Sequence, residues 1–133
     1  MSNPTPQELL ALAAQSARRA YAPYSHFRVG AAVLAEGEIF LGVNVENDAY
    51  SLALCAERAA LAAAIVAGKR QISAIAIACI DAPPDSDLRG RMPCGACRQW
   101  LSELAPQAKI YLLGSEQEFS ADQLLPWAFR WKR

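Results

Sequence analysis

Apolar residues recur at helical spacing near the start of the chain. The positions that share one helix face are Leu9, Leu12, Ala13, Ala17 and Ala20. The preceding segment Thr5-Pro6-Gln7-Glu8 offers a capping threonine, a proline suited to the first helical position and a glutamate that completes a capping box. The pattern predicts a helix that opens at this segment and ends before Pro23.

The next apolar stretches are shorter and predict strands. Val29–Leu34 and Ile39–Val45 flank a Glu36-Gly37 turn signal, so a hairpin is expected. Ile72–Ile80 is apolar at nearly every position, which is typical of a strand that is buried on both faces and central in its sheet. Lys109–Leu113 predicts one further strand.

Helices are predicted between these strands. One runs from about Ala53 to Ala67, and another begins around Cys94. Ser120-Ala121-Asp122-Gln123 forms a second capping box, but Pro126 limits that helix to a turn or two. The alternation of helices and strands predicts a layered α/β domain.

Length, charge and hydropathy narrow the possibilities. The 133 residues fit a single domain spanning 1–133, and 53% hydrophobic residues exclude a disordered chain. Thirteen basic against thirteen acidic residues give no net charge, which is unfavourable for gripping a nucleic acid. No apolar run is long enough to span a membrane, and the first residues do not resemble a signal peptide. We therefore expect a cytoplasmic protein.

Cysteines carry the strongest chemical signal. Cys94 and Cys97 form a C-x-x-C pair at a predicted helix start, where both sulfurs can face one metal ion. Cys55, 39 residues earlier, could supply a third thiolate. No fourth ligand is evident, since Cys79 is predicted to be a small buried hydrophobe and His26 a loop or packing residue. An open fourth corner favours a catalytic zinc site over a structural one.

Three hypotheses follow from these residues alone. The first is a zinc hydrolase in which Glu57, two residues after Cys55, moves protons. The second is a structural zinc site, and the third is a thiol–disulfide catalyst using Cys94 and Cys97. Arg58 could hydrogen-bond a ligating sulfur and offset its charge, or it could be a solvated helix residue.

The same residues resemble the zinc signature of cytidine deaminases. The signature lies in Cys55-Ala56-Glu57 and Pro93-Cys94-Gly95-Ala96-Cys97, and the family's glutamate does not bind zinc. The similarity covers about residues 21–125. The other matching segments within this range are 22–27, 29–32, 44–47 and 97–99. It implies a three-layer α/β/α fold with a mixed sheet of about five strands and one zinc ion per chain. It also implies hydrolytic deamination of a nucleoside. The length of the chain resembles the family's class of short single-domain chains, which usually form homotetramers.

The resemblance also assigns roles to individual residues. Glu57 would move protons, and the backbone amides of Ala56 and Cys94 would hold the intermediate. Asn44 and Glu46 would bind ribose hydroxyls or the base. The remaining positions implied at the substrate are Phe27 at the sugar, the Met92 carbonyl at the leaving amine, and Phe129 inserted into a neighbouring subunit's site.

Several positions depart from the family pattern. Asp48-Ala49 replaces small uncharged residues, Met92 replaces a small hydroxyl residue, Trp127 replaces a glycine, and Arg130-Trp131-Lys132-Arg133 replaces a more acidic end. Trp127 and Phe129 could line the base pocket or form an oligomer contact. The alternatives are therefore a deaminase of a modified or different aminopyrimidine nucleoside, as in blasticidin S deaminase, and a non-catalytic zinc-bound scaffold.

Overall fold

The computed structural model describes residues 3–131, which form four α-helices and five strands. The helices are α1 (Pro6–Ala17), α2 (Ala56–Val66), α3 (Gly95–Leu104) and α4 (Ala121–Leu124). The strands are β1 (Val29–Ala35), β2 (Glu38–Val43), β3 (Ile72–Cys79), β4 (Lys109–Leu112) and β5 (Glu118–Phe119). The expectations about the first two residues and about Lys132 and Arg133 lie outside the described residues.

The start of α1 has the predicted capping box. The Glu8 amide donates to Thr5 Oγ1 at 3.1 Å, and the Thr5 amide donates to Glu8 Oε1 at 2.8 Å. Because these bonds satisfy two of the amides that a helix start leaves unpaired, α1 begins at Pro6 as expected. It ends at Ala17, well before Pro23.

The five strands form one mixed sheet in the order β2-β1-β3-β4-β5. β1 and β2 form the expected antiparallel hairpin, and β1 also pairs antiparallel with β3. β3 pairs in parallel with β4, so α3 belongs to the crossover between them. The central position predicted for β3 is confirmed. β5 has only two residues, too few to produce a recognisable apolar pattern, and it escaped the strand prediction.

Helices cover both faces of the sheet. On one face α1 packs through Leu9 and Ala13 against a small-residue surface of β3, made by Ala74, Ala76 and Ala78. On the other face α2 and α3 pack with Ile75 and Ile77 in the larger core. The expected three-layer α/β/α architecture is therefore confirmed.

Gly42 lets α2 approach the sheet closely. A methyl group at this position would overlap the carbonyl oxygen of Ala56 and the amide nitrogen of Ala60. The backbone of the first turns of α2 therefore rests directly on β2. This contact fixes the helix start at which Cys55 and Glu57 lie.

Two predicted boundaries needed correction. β2 ends at Val43, and Val45 instead makes single bridges to Tyr21 and Leu54. α2 begins at Ala56, because Ala53 and Cys55 are extended (φ −60°, ψ 137° and φ −77°, ψ 152°) and Leu54 forms the bridge to Val45. The extended stretch turns Cys55 into the helix cap. Within residues 3–131, no helix has the length and apolar character needed to cross a membrane.

Candidate metal centre

Three cysteines from two helix starts meet at one point. Cys55 and Cys94 are the N-cap residues of α2 and α3, and neither side chain caps its helix. Cys97 lies one turn into α3 and is buried. The Sγ atoms of Cys94 and Cys97 are 3.5 Å apart, those of Cys55 and Cys94 are 3.7 Å apart, and all three lie within 4.8 Å of one another.

This donor set fits zinc. Zinc binds thiolate sulfur at about 2.3 Å with tetrahedral geometry, which places neighbouring sulfurs about 3.8 Å apart. The two observed separations of 3.5 and 3.7 Å are close to that value. Within residues 3–131, Cys55, Cys94 and Cys97 form the one cluster of potential metal ligands, and His26 lies outside it. Three ligands leave one coordination position for water or substrate.

Nearby donors stabilise the thiolate form of Cys55. The hydrogen bond from the Cys97 thiol and then the Arg58 guanidinium lower the pKa of Cys55, against the opposing effect of burial, while the same hydrogen bond and burial raise the pKa of Cys97. Arg58 Nη2 lies 3.4 Å from Cys55 Sγ and 3.3 Å from the carbonyl oxygen of Ala53. The positive ends of α2 and α3 add to this stabilisation. Zinc binding requires thiolates, so Arg58 and the helix ends favour it at Cys55.

Glu57 is the buried carboxyl group beside the cluster. It occupies the first turn of α2 and is only 5% exposed. Burial raises the pKa of Glu57 to about 7, and the negative charge of Cys55 adds a smaller increase. A carboxyl group with this pKa can both accept and donate a proton near neutral pH, which is the requirement for a proton shuttle.

A family model matches most of the chain. The family described as "Cytidine and deoxycytidylate deaminase zinc-binding region" matches residues 4–113. The chain belongs to this family. Its cofactor is therefore zinc, and it is an enzyme of the hydrolytic deaminase class.

Similar proteins and structures agree with this assignment. A cytidine deaminase from Halalkalibacterium halodurans is 44% identical over 128 residues, covering 92% of each chain. A probable cytidine deaminase from Dictyostelium discoideum is 42% identical over 123 residues, covering 88% of this chain and 79% of that protein. The crystal structure of cytidine deaminase from Burkholderia pseudomallei has a TM-score of 0.81 at 41% identity, covering 95% of this chain and all of that chain. The Mycobacterium tuberculosis enzyme structure has a TM-score of 0.78 at 37% identity, covering 94% and 97%.

A cleft of about 200 Å³ opens beside the cysteine cluster. Cys55 and Cys94 line it, together with Ala56 and Glu57. The other cleft-lining residues are Phe27, Val29, Asn44, Glu46, Ala53, Leu54, Cys79, Gly90 and Met92. The structure thus brings most of the sequence-predicted site residues to one cavity.

Asn44 and Glu46 line this cleft, and their side chains also hydrogen-bond to the loop before β1. Asn44 Oδ1 accepts from the Val29 amide and Nδ2 donates to the Phe27 carbonyl oxygen, both at 2.9 Å. Glu46 Oε1 accepts from the amides of Tyr24 and Ser25, while Oε2 accepts from the Ser25 hydroxyl. Each side chain can form further hydrogen bonds beyond these, so the contacts are compatible with substrate binding. Substrate binding by Asn44 and Glu46 stays a prediction.

Phe129 does not line the cleft of its own chain. Its side chain is 68% exposed, and its carbonyl oxygen accepts from Gln99 Nε2 at 3.1 Å. Arg130 fixes the same segment by donating to the carbonyl and hydroxyl oxygens of Ser102, both at 2.7 Å. The tail therefore lies along α3 and presents Phe129 outward.

Cys79 and Gly90 are cleft residues that the sequence reasoning missed. Cys79 ends β3 and is only half buried, contrary to the deep position that we predicted. A strand end that precedes a crossover is a common location for a site, which could have indicated Cys79. Nothing in the local sequence around Gly90 signalled its place in the cleft. His26 is exposed in the loop before β1, as expected.

Proposed function

We propose that this chain is a zinc-dependent deaminase that converts cytidine and 2′-deoxycytidine, with water, to uridine and 2′-deoxyuridine plus ammonia. The observation that carries the proposal is the cluster of three cysteine sulfurs beside a cleft that the buried Glu57 also lines. Cys55, Cys94 and Cys97 hold the zinc ion. The cytidine deaminases among its relatives support the substrate class.

Zinc, when bound, would act as a Lewis acid that lowers the pKa of water at the reaction site. Glu57 accepts the proton of the attacking water and delivers it to N3 of the base. Attack at C4 makes that carbon tetrahedral. Glu57 then takes the proton of the new C4 hydroxyl group and transfers it to the exocyclic amine, which leaves as ammonia while the C4 oxygen becomes the carbonyl of the product. Its pKa of about 7 suits this alternation between base and acid.

Backbone and side-chain groups around Glu57 position the substrate. The amides of Ala56 and Cys94 lie at helix starts, where backbone donors lack intrahelical partners. They help to hold the tetrahedral intermediate by stabilising negative charge on the oxygen that adds to C4. Asn44 and Glu46 bind the ribose hydroxyls or the base, Phe27 contacts the sugar, and the Met92 carbonyl oxygen accepts from the leaving amine. Arg58 supports the thiolate of Cys55.

The proposal includes a homotetramer in which Phe129 completes a neighbouring subunit's site. The exposed tail, which lies along α3 and presents Phe129 and Trp131 outward, supports it. Light scattering coupled to gel filtration would then give a mass near four times 14.4 kDa. We also assign the enzyme to the cytoplasm, because its four cysteines, all within residues 3–131, form no disulfide, as is usual in a reducing compartment.

Ammonia release from a panel of substrates tests the function. The zinc-loaded protein is offered cytidine, 2′-deoxycytidine, cytosine and base-modified cytidines, with uridine as a substrate that cannot be deaminated at C4. We expect the highest kcat/KM for the two unmodified nucleosides. Turnover confined to modified bases would favour the alternative substrate class. A zinc-loaded protein that deaminates none of these compounds would refute the proposal.

A further inference from the structure

Arg91 is a buried arginine behind the wall of the cleft, just before the C-x-x-C helix. It ends the 3-10 turn Leu88–Arg91 and is only 9% exposed. Its two chain neighbours, Gly90 and Met92, both line the cleft, whereas Arg91 does not. Its side chain therefore lies outside the substrate space, and the residue links the two wall residues on either side of it.

The Arg91 guanidinium joins its own turn to two other segments. Nη1 donates to the carbonyl oxygen of Leu113 at 3.1 Å, just after β4. Nη2 donates to the carbonyl oxygens of Pro83 at 2.6 Å and Pro84 at 3.2 Å, and it lies 3.3 Å from Ser86 Oγ. Among the described residues, no carboxylate forms an ion pair with Arg91. Backbone carbonyl groups solvate the charge instead, so these bonds depend on the planar arrangement of the guanidinium N–H donors.

Two further contacts fix the same residue. The Cys79 thiol lies 3.9 Å from the Arg91 carbonyl oxygen as a donor, so the backbone is held from the cleft side as well. Gly114 provides the space for the guanidinium, because a methyl group there would overlap Arg91 Nη1. The residue is thus clamped between the cleft wall and the end of β4.

We propose that Arg91 is a positioning residue that sets the cleft wall formed by Gly90 and Met92 through its guanidinium bonds to Leu113 and Pro83. The inference rests on the proposed function for its substrate readout. Small displacements of a binding wall are costly in catalysis, so loss of these bonds raises KM. A residue that only stabilised the fold would instead lower the amount of active enzyme without changing KM.

The test compares Arg91→Met and Arg91→Lys in zinc-loaded protein, with kcat normalised to bound zinc. Arg91→Lys keeps the charge but cannot span both carbonyl groups. We expect each variant to raise KM for cytidine about tenfold. Arg89→Met is the matched control, since Arg89 lies on the same turn but pairs with Asp87 at the surface. A KM that stays within about twofold of wild type in either Arg91 variant overturns the proposal.

Gly114→Ala tests the same clamp from the other side. The added methyl displaces the guanidinium, and because Gly114 has a φ of +94° it also strains the backbone there. KM therefore rises at least as much as in Arg91→Met, and Gly114→Ala raises KM less in the Arg91→Met background than in wild type, because the clamp is already lost. Additive effects on KM would contradict the coupling.

Hydrogen exchange provides a readout that does not depend on activity. In zinc-loaded Arg91→Met we expect faster exchange confined to residues 83–94, and unchanged exchange there in Arg89→Met. Exchange at wild-type rates in Arg91→Met overturns the positioning role. A wild-type protein without cytidine turnover refutes the proposed function instead, and hydrogen exchange still decides the inference about Arg91.

Discussion

The sulfur atoms of Cys55 and Cys94 lie 3.7 Å apart although 39 positions separate the residues in the chain. Each cysteine caps a helix without using its side chain to do so. Two helix starts therefore direct their positive ends at one point while both sulfurs stay available for a metal ion. The relationship joins zinc binding to the packing of α2 and α3 on the same face of the sheet.

Removing a proposed zinc ligand should remove the metal. We expect Cys94→Ser and Cys97→Ser to be purified with far less than one zinc per chain, because a hydroxyl replaces a thiolate in each. Cys79→Ser is the matched control, since Cys79 lies outside the cluster, and it should retain one zinc. Zinc content measured by atomic absorption decides the matter. A full zinc complement in Cys94→Ser would contradict the ligand assignment.

Replacing Glu57 should abolish turnover while sparing the metal. We expect Glu57→Gln and Glu57→Ala to keep their zinc and fold and to lose about 10²–10⁴-fold in kcat, the usual contribution of a positioned acid or base. Glu103→Gln, an exposed glutamate on α3, is the control. Steady-state ammonia release provides the measurement. Glu57 variants that retain most of the wild-type kcat would show that another group moves the protons.

Arg58→Gln should weaken zinc binding. The substitution removes the guanidinium contact with Cys55 and leaves the thiolate charge without compensation. Loss of a partner of a metal ligand commonly lowers metal affinity about tenfold to a hundredfold. Competition with a chromogenic chelator measures the change. Arg70→Gln, just beyond the opposite end of α2, should bind zinc as tightly as wild type, and equal affinities for all three proteins would argue against a supporting role for Arg58.

Gly42→Ala should destabilise the protein. Its methyl group would push the first turns of α2 away from β2. Overpacking of this kind costs about 1–3 kcal/mol of the free energy of unfolding. Urea denaturation of the zinc-loaded protein measures it. Gly95→Ala is the control, because no atom lies within 4 Å of a methyl group placed there. Equal stability of the Gly42→Ala and wild-type proteins would mean that α2 can shift without cost.

Trp127→Gly should relieve backbone strain. Trp127 has a φ of +58° and its side chain is fully exposed within the chain. The left-handed backbone explains the glycine that the family resemblance led us to expect here. The substitution removes about 1 kcal/mol of strain and should raise the melting temperature. A lower melting temperature would instead indicate that the indole packs against another subunit.

Local chemistry in the sequence determined several parts of this protein. The capping box at Thr5 fixed the start of α1, and the apolar run of β3 fixed its central place in the sheet. The C-x-x-C spacing alone placed two sulfurs on one helix face. These features depend on residues that are neighbours in the chain, so their periodicity and spacing were sufficient.

Only the tertiary structure decided how distant segments meet. Residues far apart in the chain come together when Cys55 approaches Cys94 and when Arg91 bonds to Leu113. The burial of Glu57 likewise depends on how distant segments pack. The close contact of α2 with Gly42 likewise depends on the packing of a helix on a strand. Such contacts arise from the cooperative burial of two faces against each other, and hydrophobic periodicity specifies which face is buried without specifying its partner.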